Sequence, residues 1–264
     1  LSIRRQRQMC IRDRILIIIV FGFLAAFIDA VVGGGGLIST PALLAIGLPP
    51  ATALGTNKLA SSFGSLTSAI KFIRSGKVDL KIVGKLFPFV FLAAVGGASL
   101  ASFLPASVLK PLVIIILTIV MIYTLVRKDW GSIRTYQKLS TKKAILFTSV
   151  LLLIGFYDGF LGGGTGSFML FTLLIVGFDF LSAAGNAKVL NFASNIGALL
   201  LFMLLGKVDY GIGLIMAFSM IVGSYAGAQF ALRQGVGYVR VLFVIVTSAL
   251  ILKNIYDYMH QWFN

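Results

Sequence analysis

The chain repeats itself about 130 positions on, and this limits its fold more than any single motif. Gly76-Lys77-Val78-Asp79 recurs letter for letter as Gly206-Lys207-Val208-Asp209. Asp29 and the glycine run Gly33-Gly34-Gly35-Gly36 are answered by Asp158 and Gly162-Gly163-Gly164. Gly55-Thr56-Asn57-Lys58 aligns with Gly185-Asn186-Ala187-Lys188, and Gly97-Ala98 with Gly227-Ala228. A duplicated chain of this kind, when strongly apolar, is the usual build of a membrane transporter with its site where the repeats meet.

Composition supplies the second condition. Apolar residues make up 58% of the chain and charged ones 12%, with a mean hydropathy of +1.00. A soluble domain carries roughly a quarter charged residues, so this chain belongs in lipid. Its 264 residues could hold about eight to ten spans of the ~20 residues a bilayer requires. Residues 4–13 match, codon by codon, an adapter used in sequencing libraries read in frame. Residues 1–14 are therefore read as an artefact and set aside. Removing their five arginines and one aspartate lowers the net charge from +15 to +11 and takes away the only cysteine, Cys10. That excludes disulfides and thiolate metal sites. The remaining positive charge lies in short loops between apolar runs, a membrane-protein pattern rather than a nucleic-acid footprint.

Glycine and proline punctuate the apolar runs. The run 15–32 stops at the four glycines. A piece too short to span, 37–48, follows and is ended by Pro49-Pro50. Candidate spans then cover 52–72, 82–104 and 108–126. The second half repeats the plan with 144–161, a glycine break, a short piece at 167–178, and spans at 181–205, 210–232 and 237–259, closed by the aromatic cluster Tyr256, Tyr258, Trp262 and Phe263. The reading is an all-α polytopic membrane protein. A first repeat covers 15–127, a basic cytoplasmic linker 128–143 and a second repeat 144–260. Each repeat is a glycine-broken helical hairpin plus three transmembrane helices. Loop charge favours inverted over parallel repeats: Lys71, Arg74, Lys77, Lys81 and Lys85 face only Lys207 in the equivalent loop, while uncharged 102–107 faces Arg233 and Arg240. On that reading 71–85, 127–143 and 233–240 are cytoplasmic.

Three groups of residues could carry chemistry. The breaks Gly33, Gly34, Gly35, Gly36 and Gly162, Gly163, Gly164 are costly inside a bilayer unless they line a cavity. A helix starting behind such a break points free N–H groups and its positive dipole end at the turn, which suits an anion. Thr40-Pro41 is read as a cap and first-turn proline there. Close packing of small residues is the alternative. Lys58, Ser61, Ser62 and Ser65, with Thr56 and Asn57 beside them in sequence, and Lys188, Asn191 and Asn195 form matching helical stripes of a cation with hydroxyls and amides. The alternative is a lysine snorkelling to the interface. Asp29 and Asp158 are acids deep within apolar runs, readable as a proton-coupling or gating pair, or as anchors of the adjacent turns. The Lys77/Asp79 and Lys207/Asp209 pairs read as loop caps, and the lone His260 as interfacial. Gly162-Gly163-Gly164-Thr165-Gly166 lacks the strand and Lys-Ser/Thr of a nucleotide loop. No nucleophile–base pair of recognisable spacing speaks for an enzyme, and no catalytic residue, metal site or cofactor is expected.

Gly33–Gly36, Pro41, the stretch Ala53-Leu54-Gly55-Thr56-Asn57-Lys58 with the serine-rich span behind it, and Gly76-Lys77-Val78-Asp79 together resemble the TauE/SafE family of sulfite and organosulfonate exporters. The resemblance covers about residues 15–259 and is weaker in the second half, where Asn186-Ala187 replaces Thr56-Asn57. It implies a multi-spanning exporter of a small, commonly sulfur-containing anion in the cytoplasmic membrane of prokaryotes. The expected partners are that anion and the lipid bilayer, not nucleic acid; self-association is left open. A passive anion channel and a non-transporting scaffold are the rival readings.

Overall fold

The computed structural model describes residues 2–101, 135–136 and 140–263, with side chains described for 12–101, 135–136, 140–234, 241 and 245. The expected span 108–126, most of the linker, and the side chains of the aromatic tail and His260 lie outside these. Eight α-helices and no strand occur among the described residues: α1 (Ser2–Val32), α2 (Gly36–Ala45), α3 (Pro50–Arg74), α4 (Leu80–Ala101), α5 (Thr141–Phe160), α6 (Thr165–Ile175), α7 (Phe180–Leu204) and α8 (Tyr210–Phe263). Among the described residues five stretches are long and apolar enough to cross a membrane: Arg12–Val32, Leu80–Ala101, Thr141–Phe160, Phe180–Leu204 and Tyr210–Gln234. At 25 residues α3 is also long enough, but the polar stripe along it, buried from Thr56 to Ser68, lowers its hydropathy. Exposed side chains such as Leu92, Leu153 and Phe218 mark the surface that acyl chains would cover.

Two details depart from the sequence reading. Pro50 does more than stop the short piece before it. It opens α3 at the first helical turn, where its missing N–H costs nothing, and α2 has already ended at Ala45, with Gly47 turning the chain behind it. The separate spans expected at 210–232 and 237–259 are one 54-residue helix, about 80 Å long at ~1.5 Å per residue. No proline stands between Leu232 and Val241, and the isolated Gly235 and Gly237 do not oblige a helix to stop.

Contacts fix the directions of the long helices. Gly223 and Gly227 of α8 lie against the carbonyls of Phe23 and Phe27, so α1 and α8 run parallel. In the same way Gly155 and Gly159 of α5 lie against Val90 and Ala94 of α4. Helix α3 runs parallel to α8, with Thr56 at Asp209, Gly64 at Ser224 and Lys71 at Tyr225. Between the halves the order reverses: Gly55, near the start of α3, meets Lys207 beyond the end of α7. Gly185, near the start of α7, meets Lys77 beyond the end of α3. The helices that correspond by sequence, α3 and α7, are therefore antiparallel. The basic segments at Lys71–Lys81, Lys142–Lys143 and Arg233 all fall at one end of the bundle as a result.

The duplicated Gly-Lys-Val-Asp turns are clamped by the opposite half. Asp79 and Asp209 cap α4 and α8, their carboxylates accepting from Ile82 and Ile212 N–H. The Asp79 N–H donates to Asn186 Oδ1 and the Asp209 N–H to Thr56 Oγ1, both at 2.9 Å. The departure of Asn186 from Thr56 thus keeps the same acceptor. Thr56→Val is expected to lower stability by about 1 kcal/mol, and Thr56→Asn to restore most of it. Thermal unfolding in detergent is the check.

Candidate functional site

The two glycine breaks meet each other inside the bundle. Gly33 has φ +84°, and a Cβ there would sit 2.2 Å from Gly166 C and Ser167 N. Gly36 faces Gly162 O in the same way, at 2.5 Å. Ser167 Oγ donates to Val32 O (3.1 Å), tying the start of α6 to the end of α1. Local bonds hold each tip: the Gly35 N–H donates to Asp29 Oδ1 (3.2 Å), and Tyr157 OH donates to Gly163 O (2.7 Å). Gly36 and Gly166, in the first turns of α2 and α6, both line one cavity, so two positive helix ends converge on it. Thr40-Pro41 has no part in that start. Gly35 occupies the cap of α2 without a side-chain bond, Pro41 lies inside the helix, and Thr40 Oγ1 has no partner. The glycines themselves begin the helix, so no capping hydroxyl is required.

Behind the tips, α3 and α7 bring the polar stripes together. Lys58 Nζ lies 2.9 Å from Asp158 Oδ1 and donates to Asn195 Oδ1 (3.1 Å). Lys188 Nζ lies 2.7 Å from Asp29 Oδ2. Each pair joins a lysine of one half to an aspartate of the other. Both lysines are 1% exposed, so neither snorkels to an interface. The two acids are placed differently: the Asp29 side chain is 20% exposed and that of Asp158 1%. Asp158 Oδ2 accepts from Ser194 Oγ, while Asp29 also holds its own glycine turn. Sequence reasoning found all four charges but not their pairing. The available signal was physical: a charge inside a membrane needs a partner, and each half holds one of each sign.

The cavity is lined by Asp29, Gly35, Gly36, Asn57, Lys58, Ser61, Asp158, Gly162, Asn191 and Asn195 from the sequence reading. Ser65 of the same stripe lines it too, and it also takes in Ala25, Ala26, Gly64, Gly166, Met220 and Ser224. The last two come from α8, and nothing in the sequence announces that α8 packs on α3. Gly33, Gly34, Gly163, Gly164, Thr56 and Lys188 stand outside the lining: the glycines shape the tips, Thr56 clamps a turn and Lys188 anchors Asp29. Asn57 Oδ1 accepts from Ser61 (3.4 Å) and Asn191 Oδ1 from Asn195 (2.9 Å), which leaves each amide nitrogen as a donor at the cavity. The space is narrow, with a volume of about 20 Å³, enough for about one water. Among the described residues no group of three His, Cys, Asp or Glu could hold a metal.

Comparison with known proteins carries the reading further. The family model for the sulfite exporter TauE/SafE matches residues 18–254. The chain belongs to the TauE/SafE family. A probable membrane transporter protein, ORF9, of Sinorhizobium sp is 38% identical over 246 residues, covering 91% of this chain and 92% of its own length. One from Haemophilus influenzae is 37% identical over 253 residues, covering 96% and 98%. The probable membrane transporter protein YfcA of Escherichia coli K12 is 36% identical over 235 residues, covering 89% and 87%. No solved structure matches the chain. With five membrane-length apolar stretches among its described residues, this TauE/SafE member is a multi-pass membrane transporter, and the family is one of transporters rather than enzymes.

Proposed function

We propose that the protein carries a small sulfur-containing anion, sulfite or an organosulfonate, outward across the cytoplasmic membrane by alternating access of two inverted repeats. The observation that supports this most is the pair of buried lysine–aspartate bridges joining the halves beside one polar cavity. Lys58, the free amides of Asn57 and Asn191, Ser61 and the first turns of α2 and α6 are all donors, as an oxyanion out of water requires. The antiparallel course of α3 and α7 supports inversion, as does the gathering of the basic segments at one end, which is then cytoplasmic. The family's name supports the sulfur oxyanion. In the closed state Asp158 and Asp29 hold the two ammonium groups, and the anion replaces a carboxylate when the halves rock apart.

Uptake of labelled sulfite, sulfate, acetate and methanesulfonate into proteoliposomes holding the full chain tests this. Saturable flux of sulfite or methanesulfonate, well above that of acetate, is the expected result. Currents far beyond carrier turnover would instead establish a channel, and no flux of any anion from folded protein would remove the transport reading.

A further inference from the structure

Resting on that anion-carrier reading, we propose that Asp158 carries one proton across with each singly charged anion. Charge balance raises the question. Lys58, Asp158, Lys188 and Asp29 sum to zero in the closed state. A monoanion on Lys58 with both carboxylates ionised leaves an uncompensated negative charge in a buried, low-dielectric site. A proton on one displaced carboxylate restores neutrality.

The hydrogen bonds of Asp158 suit it to accept that proton. Ser194 Oγ has two acceptors within reach, Asp158 Oδ2 and Asn191 O (3.0 Å), and a single proton to give. With Asp158 ionised, Ser194 donates to it. With Asp158 protonated on Oδ2, the acid donates to Ser194 Oγ, and Ser194 turns its own proton to Asn191 O. Both states are satisfied with no atom moving far, because a hydroxyl both donates and accepts. Asp29 has no such partner. Its Oδ1 receives a backbone N–H from Gly35 and its Oδ2 an ammonium from Lys188, and neither group can accept a proton's hydrogen bond.

The surroundings of Asp158 leave the switch to these groups. From α3 it meets Lys58. From α7 it meets Ser194, with Asn195 bonded to the same ammonium. Its neighbour on α5, Tyr157, gives its hydroxyl to Gly163 O. The α4 face against α5 offers Val90, Ala94 and Gly97, with Lys81 and Lys85 near the far start of that helix. Asp29 and Lys188 form the other bridge. The proton enters from the side the anion enters and leaves with it; no covalent bond changes.

Methanesulfonate decides the matter because its charge does not change with pH, so any proton moved belongs to the protein. An inward methanesulfonate gradient on proteoliposomes of the full chain, with a pH dye inside, is expected to acidify the lumen by one proton per anion. The rate should be insensitive to a potassium–valinomycin potential. Sulfite at acid pH, where it is mainly singly charged, is run in parallel. Ser194→Ala keeps the ion pair but removes the switch, and should slow coupled uptake at least about tenfold, whereas Ser194→Thr retains it. Anion uptake that carries current without acidification, or coupling in Ser194→Ala equal to wild type, would overturn the proposal while leaving anion transport standing. No uptake of either anion by folded protein would overturn the carrier reading and this inference with it.

Discussion

Lys58→Ala is expected to abolish anion flux and to destabilise the protein by about 3–5 kcal/mol, the usual effect of leaving a buried charge without its partner. The uncompensated group is Asp158, 1% exposed, whose remaining donor is the Ser194 hydroxyl. Asp158→Ala should do comparable damage by stranding Lys58 beside Asn195. The double variant Lys58→Ala/Asp158→Ala is expected to be more stable than either single one, because it buries no charge at all, yet to remain without flux. Stability by thermal unfolding in detergent, set beside flux, separates the two roles. A double variant as unstable as the sum of its parts would mean that the residues do not act as a pair.

Gly33→Ala should be among the most damaging single-methyl changes at the described residues. Position 33 combines a left-handed backbone with a Cβ that would fall 2.2 Å from the backbone of Gly166 and Ser167. Those atoms belong to the other half's tip and cannot swing aside as a side chain could. Gly47 provides the control, with φ +93° but nothing within 4 Å of a Cβ. Gly47→Ala is expected to cost only the left-handed penalty, about 1–2 kcal/mol, and to keep transport. Gly33→Ala should yield little folded protein, or folded protein without flux. Equal yields and flux for the two variants, measured by size-exclusion profile and uptake, would contradict the tip-to-tip contact.

Much of this was legible in the sequence because the determinants are local. Glycine runs, prolines and apolar lengths located the end of α1 and all of α2 to α7 to within a few residues, and the aspartates of the repeated Gly-Lys-Val-Asp turns read correctly as caps. Helical spacing put Lys58, Ser61, Ser62 and Ser65 on one face, and all but Ser62, whose hydroxyl bonds back to Lys58 O, reach the cavity. What stayed hidden depends on which helix packs against which. The partnering of Lys58 with Asp158 spans a hundred residues and requires knowing that the halves interlock. Thr56 and Lys188 looked like ligands by their neighbours in sequence, yet contacts from the other half assign one to a turn and the other to Asp29. Met220 and Ser224 sit in an apolar run with no periodic sign of their own, and only the packing of α8 on α3 brings them to the cavity. Helix α8 failed in the opposite sense, since two arginines and two glycines looked like a loop and form helix.

The most direct measurement is the thermal stability of purified protein titrated with sulfite and with methanesulfonate, wild type against Lys58→Ala/Asp158→Ala. A ligand that binds the folded state raises its melting temperature by mass action, by about 2.7 kcal/mol of stabilisation at a hundredfold excess over Kd. If Lys58 holds the anion, the wild type should be stabilised in a saturable way and the folded double variant not at all. An equal rise in both would place the anion elsewhere and contradict the account.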